Sequence, residues 1–560
     1  LHKEYRRQRQ MCIRDSFRTP VKTTLIFKKT YQSIQKMPTD QPPAYRSVRL
    51  PEDGDGADLP PDYTPDYDFE KPKIPTDSNS FEESFKIESP KYNDKAFTVV
   101  FISVLAAFAL LTLYCFRDLT LRNSGESFSA TFRTIFTQGD IQSLSKTSRR
   151  NNRDLLLLIL ATIGVPILCS MLSLLIAYGF PMFFVFLGYF LIPFTLFSAG
   201  FALLATGSQM GGLLMLAFGG FSLMFIYQNY SKLSFTSLML KIVISVMRLH
   251  PSTILISFLG ALTSGLFGIV YLAMSAIILS DRMAVDNSTF SVNDGNNDQS
   301  SVSNLSWAVY LFIMFVGYYA FEVIKNLVHV TTSGVYGSWY FFEKSALKPL
   351  HPALSAFKRG ITYSFGSICF GSLIVSLIKV VRQILNLLRA KLDERRMGRS
   401  DDDNDDDGMN SLVYCCLSTL LSLFDFFFSE AEYWIKWFNQ YAYSYLALYG
   451  EDYLKSAKDT FEIFKYKGMF ILINDCLIGA TLSFYAILNC ILSSSVFMTL
   501  IYAFQKYTNV APEFMIAGFV LQILLAYFIT SITLNTINSG FITFLIALCI
   551  QPEKFDQDYH

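Results

Sequence analysis

The sequence predicts an all-α polytopic membrane protein, with about ten transmembrane helices behind a disordered N-terminal tail. Three observations carry this reading. The 560-residue chain is 51% hydrophobic and only 17% charged, where soluble domains are about a quarter charged. From residue 97 onward, apolar runs of about 20 residues recur, the length that crosses about 30 Å of hydrocarbon. Before residue 96 the chain is instead rich in proline and charge, with almost no aliphatic periodicity. The net charge of +1 provides no basic field, so nucleic acid is not an expected partner.

Residues 1–36 are basic and lack the apolar stretch of a secretory leader. Met37 is expected to open the native chain, with residues 1–36 as an extension that is not native. Residues 1–95 together read as a disordered cytoplasmic tail, and residues 96–555 as a transmembrane domain. The tail carries two P-P-x-Y elements, Pro42-Pro43-Ala44-Tyr45 and Pro60-Pro61-Asp62-Tyr63. Such segments dock into the aromatic grooves of WW-type domains because little entropy is left to lose. With Lys71, Lys73, Lys86 and Lys91 nearby, they point to recruitment of a WW-containing ubiquitin ligase; a plain proline-rich spacer is the alternative.

The apolar runs fall at 97–116, 155–177, 181–205, 211–228, 252–280, 305–328, 361–388, 411–430, 475–504 and 512–533. Each is expected to be helical, because backbone groups in lipid must be satisfied within their own segment. A last run, 538–550, is too short to count as a separate span. The runs GALTSGLFG at 260–268 and SFGSICFGS at 364–372 suit close helix packing. Most of the nine cysteines sit inside apolar runs without metal-ligand spacing, so they read as small buried hydrophobes. The adjacent Cys415 and Cys416 suit palmitoylation if they lie at a cytoplasmic interface.

Loop charge sets the expected orientation. Residues 281–304 hold one basic residue, Arg282, and two glycosylation sequons at Asn287 and Asn304. Residues 229–250 and 451–468 are lysine-bearing, which places them in the cytoplasm and 281–304 outside. The stretch 389–410 is ambiguous. Its five basic residues favour the cytoplasm, whereas simple alternation places it outside; an unwound or re-entrant stretch near 331–342 would reconcile the two. Its run DDDNDDD (401–407) reads as a solvated loop, since a calcium site needs fixed spacing and a turn glycine.

Enzyme signatures are scarce. There is no H-E-x-x-H, P-loop, nucleophile elbow or dinucleotide fingerprint among the five histidines and thirty glycines, which argues against a primary pump; no cofactor or metal is expected. Ionisable groups at membrane depth are costly and mark function by default. Glu322 and Lys325 lie one helical turn apart, with Tyr318 four residues before Glu322. An i,i+3 ion pair with Lys325 reaching towards the inner interface is the structural reading; substrate contact is the functional one. The aromatic stretch 424–450, with Asp425, Glu430 and Glu432, reads as an interfacial belt. Asn474 and Asp475 stand where they can cap a helix.

ITYSFGSICFGSLIVSLIKVVRQIL (361–385), NQYAYSYLALYGEDYLKSAKDTF (439–461), SGVYGSWYF (333–341) and INDC (473–476) resemble the choline transporter-like family, and most of all its fungal branch. The likeness spans about residues 95–555, departing in a short first outer loop (117–153) and the Asp-rich stretch at 389–410. The resemblance implies passive or proton-coupled passage of choline or ethanolamine across a plasma or organelle membrane. A quaternary ammonium has no N–H donor, so aromatic faces and a carboxylate recognise it, at about 0.5–2 kcal/mol per cation–π contact. Glu322 and Asp475 with Trp307, Tyr310, Tyr318, Tyr319, Trp339, Tyr340 and Tyr363 are then the candidate cage, against packing or interface anchoring as the plainer role. A transporter or channel for another solute, or a non-transporting scaffold displaying the P-P-x-Y elements, are the competing functions.

Overall fold

The computed structural model describes residues 91–122, 148–207, 209–228, 230–290, 299–343, 348–397, 407–505 and 512–551. The tail, with its motif residues Pro42, Pro43, Tyr45, Pro60, Pro61 and Tyr63, lies outside them. Among the described residues there are twelve helices and no strand. They are α1 (Lys95–Arg122), α2 (Ser148–Gly179), α3 (Pro181–Ala205), α4 (Gln209–Gln228), α5 (Tyr230–Leu249) and α6 (Ser252–Phe290). The second half comprises α7 (Gln299–Phe342), α8 (Pro352–Ile361), α9 (Phe365–Met397), α10 (Asp407–Tyr449), α11 (Tyr453–Gln505) and α12 (Pro512–Ile550).

Nine helices are long and apolar enough to span a membrane among the described residues: α1–α4, α6, α7, α9, α11 and α12. The expected run 411–430 is helical too, as the first half of α10, but is not among the nine. Proline marks several starts, at the first turn of α3 (Pro181) and α8 (Pro352), where a missing N–H costs nothing. Pro166 and Pro193 sit inside α2 and α3. The turn from α10 into α11 needs Gly450, whose φ is 69°.

One expectation is corrected. No unwound stretch interrupts 331–342: α7 runs unbroken for 44 residues, roughly 66 Å, about twice the hydrocarbon thickness. The run 538–550 is the end of α12, whose apolar window extends from Leu521 to Ile550 and is 94% buried. That burial makes α12 the central helix, packed on α11, α7, α6 and α2. Burial also explains how it carries Asn535, Ser539 and Thr543 at four-residue spacing: they face protein, not lipid.

Contacts settle which ends lie together. Asn93 donates from its backbone to the Tyr363 carbonyl and from its side chain to the Gly450 carbonyl, at 2.9 and 2.8 Å. The Asp94 carboxylate accepts from Ser367 Oγ at 2.6 Å and the Tyr453 amide at 3.1 Å. The start of α1, the α8–α9 junction and the α10–α11 turn therefore share one end. At the other, Lys391 stands over the Trp307 ring, Arg389 donates to Ser422, and Cys115 of α1 packs with Ile277 and Ile313. The stretch leading into 389–410 thus lies at the same end as the stretches flanking 281–304. Among the described residues, simple alternation therefore holds. Cys415 and Cys416, both exposed, begin α10 at this same end, opposite Asn93.

Small residues permit the closest crossings. A Cβ on Gly371 would meet the Tyr443 hydroxyl and the Tyr453 ring, and one on Gly268 would meet Leu525. Both expected small-residue runs are therefore sites of tight helix packing. The stretch 424–450 is not a belt throughout: Trp434 is exposed, whereas Tyr441, Tyr443 and Tyr445 are buried in the core.

Candidate functional site

Between α7, α9 and α10 lies a layer of charge within apolar helices. Glu322 on α7 is 9% exposed and pairs with Lys379 of α9 at 2.5 Å. One turn along α9, Arg382 reaches Asp425 at 3.1 Å and Glu432 at 2.6 Å, both on α10. Lys436 closes the row by pairing with Glu432 from the next turn of α10. The rows match because α9 runs antiparallel to α7: Asn326 donates to Ser372 at 2.9 Å, Glu322 meets Lys379, and Gln383 donates to the Tyr318 hydroxyl at 3.1 Å. An ion paired in this way avoids most of the desolvation cost that an isolated one would suffer.

The partner of Glu322 is therefore Lys379, 57 residues away in sequence, and not Lys325. Lys325 is partly buried, and among the described residues it forms no ion pair. It stays close enough to Glu322, Lys379 and Lys436 to interact with them electrostatically.

Below this layer lies a second, hydrogen-bonded one. His329, fully buried, engages Ser539 of α12 through Nδ1 at 2.8 Å. Its Nε2 meets the Gln440 carbonyl at 2.8 Å and Ser444 Oγ at 2.9 Å. Thr543 donates to Ser444 at 3.2 Å, and Asn538 to the Gln440 side chain at 2.9 Å. Asn535 donates to the carbonyl of Lys325 at 3.1 Å, joining the two layers. These groups ring the contact of α7, α10 and α12 and are satisfied by one another.

Only part of the expected cage assembles. Tyr318 lies against the charge layer, with the Lys379 ammonium 5.2 Å from its ring centre. Tyr319 is fully buried and packs edge-on against Phe101 and stacked on Phe315. Trp307 and Tyr310 pair at 6.2 Å where Lys391 covers the Trp307 ring, 4.4 Å from its centre. Trp339 and Tyr340 belong to another cluster with Phe544, and the Tyr340 hydroxyl donates to the Gln551 carbonyl. Tyr363 stands at the end where α9 begins, beside Tyr92. Asp475 lies on α11, and its side chain falls outside the described residues. So do the side chains of Asn287 and Asn304, whose backbones are helical in α6 and α7.

A profile described as "Plasma-membrane choline transporter" matches residues 213–553, which contain both polar layers. The chain belongs to this family. Relatives agree over most of its length. Protein PNS1 of Debaryomyces hansenii is 33% identical over 488 residues, covering 86% of this chain and 87% of the relative. That of Candida albicans is 32% identical over 517 residues, with 88% and 90% covered. That of Saccharomyces cerevisiae is 30% identical over 491 residues, with 86% and 84% covered. The chain is accordingly a multi-pass membrane protein of a transporter family, as its helices and the residue resemblance both indicated.

Proposed function

We propose that this protein carries choline or a related small amine across the cell membrane, with its N-terminus in the cytoplasm. One observation supports the substrate class above the rest. The Tyr318 ring and the Glu322 carboxylate already hold an ammonium between them, that of Lys379. An aromatic face with an adjacent carboxylate is what a quaternary ammonium requires, since it offers charge but no N–H donor. Lys379 acts as an internal occupant that a substrate cation displaces, and Gln383 holds the Tyr318 hydroxyl so that the ring keeps its pose.

Direct binding tests this. Purified protein in lipid nanodiscs is expected to bind labelled choline saturably, with unlabelled choline and ethanolamine competing and a neutral alcohol of the same size not competing. Saturable binding of another solute with none of choline would assign a different substrate to the same fold. For orientation, glycosidase treatment is expected to shift the mass of the wild-type protein and not that of an Asn287→Gln, Asn304→Gln double variant. We further propose that the P-P-x-Y elements recruit a WW-containing ubiquitin ligase. Replacing Tyr45 and Tyr63 by alanine together is expected to slow turnover at the membrane, and unchanged turnover would dismiss the idea.

A further inference from the structure

Among the described residues the charge layer does not balance. Around Glu322 and Glu432 the described residues bring four cations, Lys325, Lys379, Arg382 and Lys436, against three carboxylates, Glu322, Asp425 and Glu432. The nearby Glu430 is exposed on another face of α10 and pairs with none of them. Each carboxylate is already spoken for: Glu322 by Lys379, Asp425 by Arg382, and Glu432 by Arg382 and Lys436. Lys325 is the cation left over. The facing parts of α12 supply amide and hydroxyl groups only, and Asn535 uses its amide on the Lys325 carbonyl, not on the ammonium.

A single ammonium without a counter-charge, at this depth in a helix that spans the membrane, costs several kcal/mol. Lys325 is only partly buried as a residue, whereas the neighbouring Asn326 and His329 are sealed and hydrogen-bonded. We infer that the layer is a binding site for a small anion, held at Lys325 and sharing the field of Lys379 and Lys436. The chemistry admits two sources: a free halide, or the carboxylate of a zwitterionic quaternary amine. In either case the anion completes a neutral layer, so that passage of an organic cation past Glu322 does not meet a net repulsive field. The anion site goes beyond the proposed amine transport and does not depend on it.

The test uses full-length protein in nanodiscs, at constant ionic strength made up with sodium gluconate. Thermal unfolding is followed as chloride, bromide or glycine betaine replaces gluconate. A saturable rise in midpoint with chloride and bromide assigns the site to a free halide, and a rise with betaine alone assigns it to a zwitterion. Lys325→Met is expected to abolish the rise, Lys325→Arg to keep it, and Lys358→Gln, an exposed change on α8, to leave it intact. Glu322→Gln adds a second uncompensated positive charge and is expected to saturate at a roughly tenfold lower anion concentration. This gain keeps the test valid should Lys325→Met fail to fold. Midpoints that ignore all three solutes, or a rise that persists in Lys325→Met, would overturn the inference.

Discussion

Glu322 and Lys379 meet at 2.5 Å across the α7–α9 contact, joining two helices whose pairing residues are 57 positions apart. Both side chains are largely hidden, at 11% and 15% exposure, so each depends on the other for its charge. Removing one partner alone is expected to destabilise the protein by about 3–5 kcal/mol, since the survivor is left unpaired. Glu322→Gln combined with Lys379→Met is expected to cost less than either change by itself. A double-mutant cycle on unfolding midpoints checks this, and simple additivity would contradict it.

Arg382 holds two carboxylates of α10 at once, through its Nε and one terminal nitrogen. A lysine presents a single point charge and cannot reproduce that fork. Arg382→Lys is therefore expected to keep the fold and to loosen α9 from α10. Hydrogen exchange in residues 365–392 and 420–436 should increase, while that of α1 remains at the wild-type level.

Gly371 faces the Tyr443 hydroxyl, which donates to the Ile368 carbonyl at 3.0 Å. Gly371→Ala has no room for its methyl and is expected to cost about 1–3 kcal/mol through overpacking. Tyr443→Phe removes the atom that the methyl would strike. The double variant is expected to recover part of the midpoint lost by Gly371→Ala, although Tyr443→Phe alone is mildly destabilising.

Beyond the spanning part of α7, Glu343 contacts His250 at 3.2 Å and Lys348 at 2.7 Å. Burial raises its carboxyl pKa, but the hydrogen bonds and charges of His250 and Lys348 outweigh this and hold it below the ordinary 4.5. A depressed carboxyl contributes stability above its unfolded value, and that contribution disappears as the pH falls through the folded value. The midpoint difference between wild type and Glu343→Gln is thus expected at pH 7 and should shrink as the pH falls below about 4.5. A difference that grows on acidification would contradict this.

The helices were legible because hydrocarbon demands long apolar runs, and most of those in 97–533 became helices at close to the expected residues. What failed was any inference requiring a partner distant in sequence. Glu322 and Lys325 share a helix face, so local spacing suggested their pairing, yet Lys379 takes the carboxylate from another helix. The expected break near 331–342 served only to reconcile the charge of 389–410 with alternation; the end of α7, TTSGVYGSWYFF, is helical and buried in the bundle. The His329 layer was missed although a signal existed, since Asn535, Ser539 and Thr543 recur every four residues in an apolar run. Aromatic counting misled in the opposite direction: Trp339, Tyr363 and Trp307 are as embedded by sequence as Tyr318, but they belong to three different places in the bundle.

Flux through the purified protein tests the transport reading most directly. Proteoliposomes containing the wild-type chain are expected to take up labelled choline saturably, above protein-free vesicles. Tyr318→Ala should reduce uptake about tenfold, if one cation–π contact supplies roughly 1–2 kcal/mol, and Trp339→Phe, in a separate cluster, should leave it close to wild type. Wild-type uptake no greater than that of empty vesicles, for choline and for every competing amine, would contradict the assignment of this protein as an amine transporter.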